Sequence, residues 1–350
     1  MNFNGEGVPI AHEKYKSNYL AKNNRILYFC EDSKNKEKLT EDDISDDQLF
    51  SIFGKHRMRS LKSRTDGRKA LVKLDQSHQT KTFNEVKLSG KSMFSPIPYS
   101  LGYEKDDSEA RDVYFLNGKG GSGKSFYSAM LIKVYRAFGY KVYIITDIED
   151  KKFGNATYLN INDFVEQNES FEDDKKQYEE AKIKFKYAKK QYKKEPKTLM
   201  EMELALNDLK PSQDSKNKLK LKFSNDQIKK MFNKCVVLFD DYENNVDINK
   251  IEYLRNHLLT KGRHWKCNLI ICNHQGNAGS SFKLIKIETT NYVVFKKGTS
   301  HERNYLLSEY IGMDKVNTKR ISLALEKSRW ASINVNAGYV LTENEAYSLI

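Results

Sequence analysis

The 350-residue chain carries 60 Lys and Arg against 47 Asp and Glu, a formal net charge of +13. At 39% hydrophobic and 12% aromatic it holds enough apolar material for a buried core, which excludes wholesale disorder. Its aliphatic runs, such as Val236–Phe239, fall far short of the roughly 20 apolar residues that cross a bilayer. The opening MNFNGEGVPIAHEKY has no apolar leader, so the expectation is a soluble, intracellular, unsecreted protein. The positive excess suggests a polyanionic partner, most often nucleic acid.

Residues 1–108 form an N-terminal region of mixed texture. Strand-like pieces at Arg25–Cys30 and Thr82–Leu88 alternate with an acidic block, Glu41–Asp47, and a basic segment, 55–73. That segment is either an arm facing nucleic acid or a solvated surface. Residues 109–350 carry the α/β texture. DVYFLN reads as a buried strand, Lys124–Phe138 as a helix closed by Gly139, and KVYIIT as a second strand. This alternation points to a parallel, doubly wound sheet flanked by helices.

Within 170–222 the pattern changes. Tyr178, Ala181, Phe185, Ala188 and Tyr192 share one helical seam, Pro196 interrupts it, and Leu199, Met202, Leu206 and Leu209 form a second up to Pro211. An inserted antiparallel helical hairpin follows, either a packing element or a projection toward DNA or a partner. Further on, strands are predicted at Cys235–Phe239, Asn268–Cys272, Tyr292–Phe295 and Trp330–Val335. Helices are predicted at Ile248–Lys261, Glu302–Ile311 and Val316–Glu326. Cys30, Cys235, Cys267 and Cys272 lack any CxxC or metal spacing and read as structural thiols.

The sharpest motif is GKGGSGKS, Gly118 to Ser125, a full GxxxxGK[ST] P-loop between a strand and a helix. Its glycines let backbone N–H groups converge on phosphate oxygens, and the helix N-terminus adds its dipole. Gly118, Lys119, Gly120, Gly121, Ser122, Gly123, Lys124, Ser125 and Phe126 are the expected contacts to ATP. Lys124 should reach the β- and γ-phosphates, and Ser125 should ligate Mg²⁺. The buried run CVVLF ends in Asp240, Asp241 and Glu243. Asp240 is placed to hold the same Mg²⁺ at the carboxyl end of its strand, as in Walker B. Asp241 is the first choice of catalytic carboxylate and Glu243 the second. The long separation from Lys124 is taken up by the hairpin.

KGRHWKCNLIICNHQG then supplies another strand ending in Asn273, His274 and Gln275. Asn273, or next Gln275, could sense the γ-phosphate, unless the cluster is simply a turn. Arg263 stands before that strand, either as a trans-acting arginine finger or as an ordinary surface residue. His264 and His274 have no partner spacing, and no catalytic role is assigned to them.

The ordered set GKGGSGKS, VVLFDDYE and KGRHWKCNLIICNHQ, followed by ETTNYVVF, LLSEYIG and KSRW, resembles the poxvirus-type viral genome-packaging ATPases. These belong to the FtsK/HerA superfamily, found in large DNA viruses and virophages. The resemblance covers roughly residues 110–345, apart from the insert. It implies a RecA- or FtsK/HerA-like P-loop NTPase sheet that packages double-stranded DNA into a capsid as an oligomeric ring, pentamer or hexamer. It also implies capsid or portal-vertex partners, no membrane partner, and action at virus assembly sites in the host cytoplasm or in association with the virion. Lys124, Ser125 and Asp240 match the family's nucleotide and metal positions, and Arg263 matches a trans-acting arginine. Asp241 stands where the family usually carries a glutamate, which leaves the base open between Asp241 and Glu243. DNA contact would be through phosphates, independent of sequence and sensitive to salt. The alternatives are a P-loop nucleotide kinase and a nucleotide-switched scaffold for capsid and DNA without motor activity.

Overall fold

A computed structural model of the chain describes residues 8–15, 25–30, 70–74, 80–83, 85–88, 92–103, 111–168, 179–187, 219–274 and 281–349, with single positions at 176, 201 and 203. The first strands are β1 (Val8–Tyr15), β2 (Arg25–Cys30), β3 (Ala70–Leu74), β4 (Thr80–Phe83), β5 (Glu85–Lys87) and β6 (Ser92–Pro96). Five of them make an antiparallel sheet in the order β4-β3-β2-β1-β6. The stretch Thr82–Leu88, read as one strand, is split. Its first part stays in β4, and β5 joins the edge of a second, larger sheet. Of the basic segment 55–73, only the backbone of 70–73, within β3, falls inside the described residues.

The larger sheet begins with β7 (Val113–Asn117), α1 (Lys124–Ala137), β8 (Lys141–Ile145) and β9 (Thr157–Tyr158). After β10 (Val165–Gln167) and β11 (Leu219–Leu221) come α2 (Asn225–Phe232), β12 (Cys235–Phe239), α3 (Ile248–Lys261), β13 (Cys267–Asn273), α4 (Ser281–Glu288) and β14 (Asn291–Phe295). The chain ends with α5 (Ser300–Tyr305), α6 (Lys315–Lys327), β15 (Trp330–Asn334), β16 (Tyr339–Thr342) and β17 (Glu345–Ser348). The ten strands run β5-β17-β16-β15-β14-β7-β13-β12-β8-β9.

From β14 to β9 all pairings are parallel, as the strand–helix alternation predicts. From β14 outward to β5 they are antiparallel, so the sheet is mixed rather than wholly parallel. Loop length accounts for two of these pairs: β15, β16 and β17 are joined by turns too short for the crossover that a parallel pair requires. β12, β13 and β14 are buried along their whole length, which accounts for their unbroken apolar runs.

Helix ends follow local chemistry. Gly139, at φ 74°, closes α1, with Tyr140 N–H reaching Tyr135 O at 3.0 Å and Gly139 N–H reaching Arg136 O at 3.0 Å. Ser224 and Gln227 form a reciprocal cap on α2. The helix predicted at Glu302–Ile311 is α5 running on into a wider π turn, Leu306–Tyr310. β1, β3, β6, β9, β10, β11, β16, β17, α2 and α4 are found in addition to the predicted elements.

Of the expected hairpin, residues 179–187 are helical and most of the remainder lies outside the described residues. Its two ends are tied as an antiparallel ribbon, with Val165 opposite Leu221 and Gln167 opposite Leu219. Cys235, Cys267 and Cys272 are buried free thiols. No helix among the described residues is long and apolar enough to cross a membrane.

Candidate functional site

Parallel strands bring their carboxyl ends to one edge, and β7, β13 and β12 lie side by side there. The loop Gly118–Ser125 leaves β7 and turns into α1. The loop's shape depends on its glycines. Gly123, the residue before α1, has φ 110°, which an L side chain avoids. At Gly118, an added Cβ would lie 2.7 Å from Ser122 Oγ and 3.1 Å from the Phe295 ring.

Lys124 is buried and its ammonium uses all three donors. It reaches Gly118 O at 2.6 Å, Lys119 O at 3.3 Å and His274 Nδ1 at 3.2 Å. Burial pulls its pKa below the ordinary value, opposed by the carboxylates of Asp241, Asp240 and Glu243. The loop's first two carbonyls therefore occupy the lysine in this structure.

Asp240 follows β12 and is also buried. Burial raises its carboxyl pKa, opposed by hydrogen bonds from Cys272 and Ser125. Its Oδ1 is buried without a hydrogen-bond partner, as is Ser122 Oγ. The Asp240 carboxylate, with free lone pairs on Oδ1 and the Ser125 hydroxyl beside it, is a donor set suited to a hard divalent cation such as Mg²⁺. Ser125 and Asp240 are thus brought together at one strand edge.

The next residues alternate about a buried anchor. The Tyr242 ring packs on Phe239 at 6.0 Å, and its hydroxyl accepts from Arg255 Nη1 at 2.8 Å inside the core. Asp241 and Glu243, on either side, turn toward the end of β13. Asp241 sits at φ 47°, an uncommon conformation for a non-glycine residue. Its Oδ1 lies 2.6 Å from His274 Nε2, and Glu243 Oε1 accepts the His274 backbone N–H at 2.9 Å. The Nε2–H tautomer satisfies both ring contacts, donating to Asp241 and accepting from Lys124.

His274, left without a role by sequence spacing, is therefore the residue that joins the P-loop to the acidic segment. Asn273 is buried, and its carbonyl accepts the Gly118 N–H at 3.2 Å. Gln275 lies outside the described residues. Arg263 is exposed in the 3-10 turn Gly262–Trp265 that precedes β13. A seven-residue strand is about 20 Å long, so Arg263 is at the far end of β13 from Lys124.

Further cations gather at the loop. A shallow cleft is lined by Gly118, Lys119, His274, Phe295, Lys297 and Arg303. Lys297 reaches beside Gly121, and Arg303 Nη1 holds the segment after β14 through Lys296 O at 2.8 Å and Gly298 O at 3.2 Å. Sequence reading missed Phe295, Lys297 and Arg303; the only signal was a Lys-Lys-Gly run closing a buried strand.

No protein-family model matches the chain. Uncharacterized protein V3 of Sputnik virophage is 34% identical over 128 residues, which is 33% of this chain and 49% of that protein. The chain spans about half the length of the curated relative it matches. Among solved structures, it is similar to the genome packaging NTPase B204 from Sulfolobus turreted icosahedral virus 2 in complex with ATP-gammaS. The identity there is 13%, coverage is 67% of this chain and 96% of the other, and the TM-score is 0.35. It is also similar to VirB4 of Thermoanaerobacter pseudethanolicus, at 11% identity, 69% and 91% coverage, and a TM-score of 0.41.

Proposed function

We propose that the protein is an ATP-hydrolysing motor that moves double-stranded DNA as an oligomeric ring and packages a viral genome into a capsid at assembly sites in the host cytoplasm. The observation that carries the reading is the meeting of Lys124, Ser125 and the unpartnered Asp240 oxygen at one strand edge. The net charge of +13 supports a polyanionic partner, and the motif order shared with poxvirus-type packaging ATPases supports packaging. A related stretch in a virophage protein fits a viral setting.

In this reading Lys124 leaves Gly118 O and Lys119 O for the β- and γ-phosphates, and the N–H groups at the start of α1 hold the phosphate chain. Ser125 and Asp240 would hold Mg²⁺, which when bound would neutralise charge on the phosphates. Asp241 orients the attacking water and accepts its proton. Glu243 holds the His274 backbone in place rather than acting on water. His274, freed from Lys124 by the phosphate, reports nucleotide occupancy to Asp241. Arg263 can serve a nucleotide only from a neighbouring subunit, because β13 separates it from its own P-loop.

The test is phosphate release by the full chain with and without long double-stranded DNA, at low and moderate salt, beside Lys124→Ala. Stimulation by DNA that fades with salt and is lost in the variant is the expected result. Hydrolysis indifferent to DNA would contradict the motor. A phosphorylated small-molecule product would point to a kinase instead, and ATP binding without hydrolysis under every condition would point to a scaffold switch.

A further inference from the structure

The loop Gly118–Ser125 is built to meet phosphate and offers nothing to a base. Next to it stand an exposed aromatic ring and a fixed arginine that the phosphate chemistry does not use. Phe126 lies in the first turn of α1, two residues after Lys124, and is 49% exposed. The guanidinium carbon of Arg329 is 4.9 Å from its ring centroid. Arg329 immediately precedes β15, and Lys296 N–H donates to its carbonyl at 2.9 Å, so it stands at the same sheet edge as the P-loop. The neighbouring residues lock the two elements together, since Tyr127 packs edge-on against Trp330 at 4.9 Å.

Arg329 is held in position while remaining accessible. Its side chain is 58% exposed, yet Glu343, whose own side chain is 9% exposed, spends both carboxylate oxygens on it. Oε1 accepts from Nε at 2.7 Å and Oε2 from the backbone N–H at 2.8 Å. Charge-assisted bonds of this kind give one orientation to a side chain that is otherwise rich in rotamers. Direction adds the last element. Asp240 and Ser125 mark the terminal-phosphate end on the β12 flank of β7, while β14 and β15 lie on the opposite flank. A nucleotide lying along the start of α1 therefore carries its base toward β15.

We propose that Phe126 and Arg329 form the nucleobase seat of the P-loop site, with Glu343 as the residue that positions Arg329. The inference rests on the phosphate-binding reading of Gly118–Ser125. A flat ring and a guanidinium recognise a base by stacking and cation–π contact, which favours the larger purine face and tolerates both adenine and guanine.

The experiment is equilibrium binding of ATP, GTP, CTP, UTP and inorganic tripolyphosphate, with Mg²⁺, to the full chain and to Phe126→Ala, Arg329→Ala, Glu343→Gln and Lys124→Ala. The purine nucleotides should bind about tenfold more tightly than the pyrimidines. Phe126→Ala and Arg329→Ala should each weaken ATP about tenfold and leave tripolyphosphate unchanged, with Glu343→Gln giving a smaller split in the same sense. Tripolyphosphate also reports an intact loop, so a misfolded variant cannot imitate this pattern. Equal losses for ATP and tripolyphosphate, or none for ATP, would overturn the base seat while the phosphate site stands. A wild-type chain that binds neither, or a Lys124→Ala variant that binds both as before, would overturn the phosphate reading and the base seat with it.

Discussion

Asp112 and Asp240 stand at opposite ends of the parallel strands, and both are buried. Burial raises the carboxyl pKa of each above the ordinary 3.8. Their partners separate them. Asp112 Oδ2 accepts from Ser100 N–H at 2.9 Å and Tyr135 hydroxyl at 3.1 Å, and its Oδ1 accepts from Asn291 Nδ2 at 3.0 Å. Asp240 leaves Oδ1 without a donor. One end of the sheet is closed by a satisfied network and the other holds lone pairs in reserve. Both are buried with a raised carboxyl pKa, and what distinguishes them is the oxygen that Asp240 leaves without a donor.

Substituting each carboxylate in turn separates the two ends of the sheet. Asp240→Asn should reduce ATP hydrolysis by roughly 10²–10³-fold while shifting unfolding stability by less than about 1 kcal/mol, read by phosphate release and urea titration. A large stability loss would make Asp240 a structural residue. Asp112→Ala should do the reverse, costing about 3 kcal/mol because three buried donors lose their acceptor. If the variant is as stable as the wild type, the closed end of the sheet is not what holds it.

A pH series sharpens the same contrast. A carboxyl whose folded pKa is raised binds its proton more tightly when folded. Its contribution to stability is complete below 3.8 and is lost as pH rises through the elevated folded value. Asp240→Asn should therefore show a shallower fall of stability over that window than the wild type, measured by denaturation at stepped pH. An unchanged slope would contradict the buried, underpartnered carboxylate. The smallest effect is expected at His274. His274→Ala should slow hydrolysis about tenfold, or about 1.4 kcal/mol, by releasing Asp241 from its imidazole partner. No change in rate would make that contact incidental.

What the sequence disclosed and what it withheld divide along contact distance. The P-loop lies within eight consecutive residues, and Asp240 ends an unbroken apolar strand, so both are local signals. The parallel core from β7 to β14 is legible in the same way, because strand and helix periods alternate along the chain. His274 was not legible as a partner of Lys124, since the two are 150 residues apart and meet only because β13 inserts beside β7. Strand order is a property of the assembled sheet. β17 is hidden for another reason: EAYS mixes polar and apolar residues and becomes a buried strand only by pairing with β16 and β5. Arg329 and Glu343 lie 14 residues apart and meet only when β15 and β16 pair as a hairpin.

In the proposed reading the free oxygen of Asp240 is the metal's place in a nucleotide site. This placement is tested most directly by the thermal unfolding midpoint with ATP alone and with ATP plus Mg²⁺, in the wild type and in Asp240→Asn. ATP with Mg²⁺ at a hundred times its Kd should stabilise the wild type by about 2.7 kcal/mol, well beyond the effect of the same ATP concentration without the metal. The increment due to Mg²⁺ should vanish in Asp240→Asn. The same metal-dependent increment in both proteins would contradict the account.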